Sequence, residues 1–187
     1  MKTVLFLAVG AFLLFACNNK PAESTEAPKD TAAAVIKDTK PALGYEIGDQ
    51  KYVEVGKKML SQLSSGDVDS WGDNFTDDAV FQWSSLDSLK GRKAILDYWK
   101  NRRMNVLDSL EDVDQVWVPM KVNTPQSTGD VPGDWLLGWY ISNAKYKNGK
   151  RLLFLVHQLS HFNANGKIDK TILFLDRAPI NKALGKK

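Results

Sequence analysis

The apolar residues of this chain change period once, and that change limits its possible folds more than any other feature. Tyr52, Val53, Gly56, Met59, Leu60 and Leu63 recur every three or four residues, with Lys51, Glu54, Lys57, Lys58 and Gln62 between them. That spacing predicts an amphipathic helix. Ser64-Ser65-Gly66-Asp67 closes it: Gly66 suits a left-handed end and Asp67 caps a second, short helix carrying Val68, Trp71 and Phe75. A third helix follows Gly91, with Ala94, Ile95, Tyr98 and Trp99 on its apolar face. The period then shortens to two. An aromatic strand is predicted at 79–84, and longer strands at 113–123, 135–146, 152–162 and 168–177. Lys147-Asn148-Gly149-Lys150 and Asn163-Ala164-Asn165-Gly166-Lys167 are hairpin turns. Three helices followed by antiparallel strands predict an α+β layer fold. The loop 124–134 is long enough to be a binding loop or a plain hairpin tip.

The remainder of the chain is an address. Lys2 precedes an uncharged apolar run, Thr3 to Ala16, too short for a spanning helix of about 20 residues. Cys17, the only cysteine, follows Leu14-Phe15-Ala16 and reads as a lipidated first residue of the mature protein. We therefore expect a lipoprotein signal peptide at 1–16 and lipidation on Cys17. A disordered tether is expected at 17–43, rich in Pro, Ala, Thr, Ser, Lys and Glu and free of aromatics. One domain, 44–187, follows. The expected location is a bacterial cell envelope, lipid-anchored at the outer membrane. No disulfide can form within the domain, so packing must hold it. Its six tryptophans supply an ample core. No basic run interleaved with aromatics points to nucleic acid.

Several stretches carry a resemblance. Leu63-Ser64-Ser65-Gly66-Asp67-Val68-Asp69, Phe75-Thr76-Asp77-Asp78-Ala79-Val80-Phe81, Lys90-Gly91-Arg92-Lys93-Ala94-Ile95, Asn165-Gly166-Lys167-Ile168 and Leu173-Phe174-Leu175-Asp176 follow in that order. Together they resemble the nuclear transport factor 2-like superfamily, in particular its SnoaL-like branch, over about 45–185. The resemblance implies a cone: three N-terminal helices packed in a curved, mostly antiparallel sheet around a pocket, with members that are enzymes and members that only bind. It also implies a homodimer through the outer sheet face. In the steroid-isomerase branch a base, a phenol and a protonated acid act together. The corresponding positions here fall on Trp83, Met59 and Gln158, none of which can hold the proton.

The two histidines offer little for a metal. His157 and His161 lie in a strand, so their Cα atoms are expected about 13 Å apart, too far for one zinc with bonds near 2.1 Å to hold both alone. No metal and no cofactor is expected. Alternation places Phe154, Val156, Gln158, Ser160 and Phe162 on one face, and Leu153, Leu155, His157, Leu159 and His161 on the other. Both faces are apolar enough to predict that both are covered. The family geometry puts the Gln158 face inside and the histidines at a dimer seam or rim. The opposite assignment would put His157 in the pocket as a general base.

These readings leave three functions open. The first is a binding module for a small apolar or amphipathic ligand, its pocket lined by Met59, Phe81, Trp83, Tyr98, Trp99, Phe154, Gln158, Ser160 and Phe162. A cavity of a few hundred Å³ would distinguish it from a solid aromatic core. The second is an isomerase, dehydratase or hydrolase using His157, His161 or Asp87. No catalytic residue is asserted; Tyr98, Tyr140, Ser142 and Asp176 are the other polar candidates. The third is a protein-interaction module of the envelope, which exposed tryptophan among Trp117, Trp135 and Trp139 would favour.

Overall fold

The computed structural model describes residues 43–127 and 131–185. Residues 1–42, where the signal peptide (1–16), the lipidation of Cys17 and nearly all of the tether (17–43) are expected, lie outside the described residues.

Helix α1 (Lys51–Ser65) buries Tyr52, Gly56, Met59, Leu60 and Leu63 along one face. Gly66, at a φ of 86°, ends it by donating its N–H to the Leu63 carbonyl. Arg103 reaches the same helix end from 40 residues away, through Nε to the Leu63 carbonyl at 2.8 Å and Nη2 to that of Ser64 at 3.0 Å. Asp67 accepts from the Ser70 N–H and starts α2 (Val68–Gly72). Phe75, expected on that helix, instead begins strand β2 (Phe75–Trp83). The helix stops early because the Asn74 side-chain amide donates to the carbonyls of Ser70 and Trp71, occupying acceptors that a further turn would need. Strand β3 (Ser88–Lys90) folds back on β2. Helix α3 (Arg92–Asn101) then runs into one π-helical turn, Arg102–Val106.

Three long strands follow: β4 (Leu107–Val122), β5 (Gly133–Tyr146) and β6 (Arg151–Phe162). The first begins six residues earlier than its alternation predicts, because two register shifts interrupt it, and Asp114 at the second has a φ of 53°. Such bulges hide the period-two pattern and bend the strand. Strand β7 (Ile168–Phe174) ends before the expected 177, and a short helix α4 (Ala178–Ala183) completes the domain. A three-residue strand β1 (Tyr45–Ile47) pairs with β4. The seven strands are ordered β1-β4-β5-β6-β7-β2-β3, antiparallel throughout except for the parallel pair β7–β2. The α+β fold is thus as expected: N-terminal helices held within a curved mixed sheet.

Helix α1 packs against β4 and β5, and α3 against β2 and α2. Glycine permits the closest approach. A Cβ on Gly56 would lie 2.6 Å from Leu136 and 3.0 Å from Trp117, and one on Gly138 would lie 2.3 Å from Trp117. The Trp117 ring therefore occupies the space left by two absent side chains, one on the helix and one on the sheet.

The concave face carries Phe154, Val156, Gln158, Ser160 and Phe162, as the family geometry implies. The convex face carries the histidines on the outside, as the resemblance implies. Leu153 is 68% and Leu155 73% exposed, so within one chain that face is not covered. Only its far end is: Val131–Gly133 lies over Trp135 and His161. The Trp135 N–H donates to the Val131 carbonyl at 2.9 Å, and His161 Nε2 lies 3.1 Å from that of Pro132. Gly133 has a φ of 124°, and a Cβ there would stand 2.8 Å from His161 Nε2.

Candidate functional site

Between the helices and the concave face lies a cavity of about 90 Å³. Leu60 and Leu63 of α1, Trp83 of β2 and Tyr98 and Trp99 of α3 line it on one side. Phe154, Val156, Tyr140, Ser142 and Ala144 line it from β5 and β6, and Asp112 from β4. Arg102, Arg177, Ile180, Asn181 and Leu184 border it too, beside four further leucines, so the π-helical turn and α4 both reach it. A smaller cavity of about 30 Å³ lies deeper, bounded by Met59, Phe81, Gln158 and Thr171, and shares Leu60, Leu63, Trp99, Tyr140 and Leu173 with the first.

Both fall short of the few hundred Å³ expected, and the reason is aromatic packing. Trp83 meets Tyr98 edge-on at 5.2 Å, Tyr98 meets Trp99 at 5.5 Å, and Trp99 meets Trp71 and Phe81 at 5.7 and 5.9 Å. Edge-to-face rings of this kind form a stiff wall and fill much of the cone. A dry cavity of about 150 Å³ is enough to take benzene. The space here suits a short chain or part of a small ring.

The placement of the expected site residues follows. Trp83, Tyr98, Trp99 and Phe154 line the larger cavity; Met59, Phe81 and Gln158 line the smaller. Ser160 and Phe162 line neither. Ser160 is buried against Thr171 at 3.2 Å, and Phe162 stacks on Tyr52 at 4.1 Å. The three catalytic candidates do not come together. His157 sits on the convex face between Trp139 and Phe174, its Nδ1 3.1 Å from the Gly138 carbonyl. His161 is buried under residues 131–133, 2.6 Å from Asp169. Asp87 is in the β2–β3 turn, where the Ser85 hydroxyl and then Arg177 hold its carboxyl below the usual range. None of the three lines the cavity. Asp176 accepts from the Ala178 N–H and so begins α4. Among the described residues, no three of His, Cys, Asp and Glu are grouped to hold a metal ion.

The acid in the cavity is one that the sequence reading passed over. Asp112 sits one residue before the expected start of its strand. The bulged strand turns its carboxyl inward, where Ser142 donates to Oδ1 at 2.5 Å. Burial raises its pKa to about 6, against the lowering effect of that hydrogen bond; Glu111 adds slightly to the rise. Beside it on β5, the Tyr140 hydroxyl donates to Gln158 at 2.9 Å, and the Gln158 amide donates to Ser160 at 3.0 Å. Burial pushes the Tyr140 phenol well above its ordinary pKa, so it remains a donor. Two further donors border the space. The Trp99 indole N–H is buried without a partner, and Arg102 reaches only the Tyr146 hydroxyl, at 3.5 Å. A signal for Asp112 did exist: Leu110 and Asp112 are two apart, the spacing of one strand face.

Residues 54–134 match the family model of the SnoaL-like domain. No curated protein matches the chain. Among solved structures, a putative isomerase from Bacillus subtilis is 16% identical, with a TM-score of 0.58, over 74% of this chain and 95% of that one. The epoxide hydrolase/cyclase-like enzyme SalBIII, of pyran ring formation in salinomycin, is 20% identical, with a TM-score of 0.51, over 68% and 92%. An NTF2-like protein of unknown function from Exiguobacterium sp. 255-15 is 15% identical, with a TM-score of 0.51, over 64% and 96%. At these identities the likeness shows the fold alone.

Proposed function

Starting from a SnoaL-like domain of nuclear transport factor 2-like fold, we propose that this domain binds a small, mainly apolar molecule in its cavity and exchanges a proton with it through Asp112. The observation that carries this reading is a carboxyl on an apolar cavity whose pKa is raised to about 6. Such a group can take a proton and return it near neutral pH. Ser142 fixes its orientation. The unpartnered Trp99 N–H can donate to an oxygen on the ligand that gains negative charge. This chemistry suits a proton transfer of the isomerase or dehydratase kind. The alternative built on His157, His161 or Asp87 has no support in their placement.

Two further parts of the reading rest on other observations. Cys17 and the low-complexity segment after it support a lipid anchor and tether at the outer membrane. The exposed convex row of the sheet supports a homodimer. Val116, Trp139, His157 and Phe174 are successive cross-strand partners on β4, β5, β6 and β7, and a second row, Val118, Leu137, Leu159 and Ile172, runs beside it. Apolar patches of this extent usually meet a partner.

Native mass spectrometry of the protein purified from its host tests the binding. A small-molecule adduct is expected, and it should be lost in Ala144→Leu, which fills the cavity. Carbon-13 NMR of labelled aspartate tests the proton: one carboxyl should titrate near pH 6 and vanish in Asp112→Asn. An adduct that survives filling, or no carboxyl titrating above pH 5, sinks the reading.

A further inference from the structure

The polar groups around the cavity are unevenly matched. Asp112 brings its charge with a partner, since Ser142 donates to it. The other charged groups on the lining are guanidiniums. Arg177 is already engaged: its Nη1 lies 2.8 and 2.7 Å from the two carboxylate oxygens of Asp87, and its guanidinium stands 5.3 Å over the Trp83 ring. Arg102 is different. Its contacts are the Tyr146 ring, 6.0 Å away, and the Tyr146 hydroxyl at the limit of hydrogen bonding. Among the described residues no carboxylate pairs with it. It stands on the π-helical turn that ends α3, an irregularity often found at functional sites. With the Trp99 N–H also unpartnered, the lining holds more donors than acceptors.

We infer that the ligand is a carboxylate-bearing amphiphile, with its head on the Arg102 guanidinium and its short apolar tail in the cavity. Guanidinium and carboxylate match in geometry, two N–H groups to two oxygens, and an arginine held only by a long bond to a phenol can turn both to a ligand. Head and tail fit the dimensions. Arg102 is half-buried and so keeps water on one side, while about 90 Å³ beyond it accepts only a few methylene groups. The ligand's charge need not lie against that of Asp112. Asp112 already accepts from Ser142, and it belongs to β4, whereas Arg102 belongs to the π-helical turn.

This inference rests on the cavity being a binding site, and the test separates the two. Calorimetric titration of the full-length protein at pH 7 would use hexanoate, hexanamide and hexylammonium as probes. Hexanoate should bind at least about tenfold more tightly than hexanamide, the range expected of a charge-assisted contact. Hexylammonium should bind more weakly than either. Arg102→Gln should bring hexanoate down to the level of hexanamide and leave hexanamide unchanged, which also reports that the variant is folded. Arg102→Lys should keep part of the preference, as a charge without the fork. Equal affinity for hexanoate and hexanamide, or a preference that survives Arg102→Gln, overturns the inference and leaves the cavity reading standing. Binding of none of the three overturns both.

Discussion

Asp112 links the chemistry of the site to the stability of the fold. Its pKa is about 6 when folded, against an ordinary carboxyl value of 3.8. Between those values the folded protein holds the proton that the unfolded chain has released. The unfolded state therefore binds fewer protons, and stability falls as pH rises from about 4 to about 6. Below that window the group costs nothing; above it the cost is constant, with a ceiling of about 3 kcal/mol at ~1.4 kcal/mol per tenfold, reduced by any water that enters the cavity. Asp112→Asn keeps an acceptor for Ser142 and removes the charge. The variant should resist urea better than the native protein at pH 8 and equally at pH 3.5. Loss of stability at pH 8 would show that the carboxyl is not strained by burial. A site residue that lowers stability is the usual sign of a group held for function.

Residue-scale reading of the sequence was uneven for physical reasons. Gly66 and Asp67 were legible because a helix end is local: the closing glycine and the capping carboxyl act within three residues of themselves. Asp112 was legible only as a strand-face neighbour of Leu110, not as a site residue. What makes it a site residue is the loss of water around it, and that is supplied by residues as distant in sequence as Leu60 and Leu184. His157 and His161 attract attention in the sequence because histidine titrates near neutrality, yet the fold uses one in a stacked row and the other beneath a strap.

At the scale of elements, the sheet presents two faces with different fates. The concave face is covered by its own chain. The convex face leaves Val116 57%, Trp139 40%, Phe174 43% and Leu155 73% exposed. Pairing of two such faces would remove them all from water, at roughly 25 cal/mol per Å² buried. Light scattering should give twice the monomer mass at micromolar concentration. Trp139→Glu, which puts a charge in the centre of the row, should return it to the monomer mass with the fold intact by circular dichroism. A native protein that is already monomeric there would end the pairing proposal. The alternation of β6 foretold which residues share a face. Alternation alone did not say which face the helices cover, because that depends on where the helices are placed.

For the whole molecule, we propose a lipid-anchored leader ahead of the domain. If Cys17 carries the lipid, Cys17→Ser should move the protein from the membrane fraction to the soluble one. Intact mass of the native form should then show the chain beginning at Cys17 with acyl groups attached. A native protein that is soluble, or that keeps residues 1–16, would remove the anchor from the reading.

The change of period, the turns at Asn148-Gly149 and Asn165-Gly166 and the glycine-aspartate helix junction were enough to specify an α+β chain of helices followed by antiparallel strands. Each is a local preference, satisfied by neighbours in sequence. The cavity, its buried acid and the placing of Arg102 on its lining depend on something else. They arise where α1, α3, α4 and five strands meet, and a bulge in β4 decides which way Asp112 points. Desolvation is a property of what surrounds a group in space, so only the tertiary structure could turn an ordinary aspartate into one that titrates near pH 6.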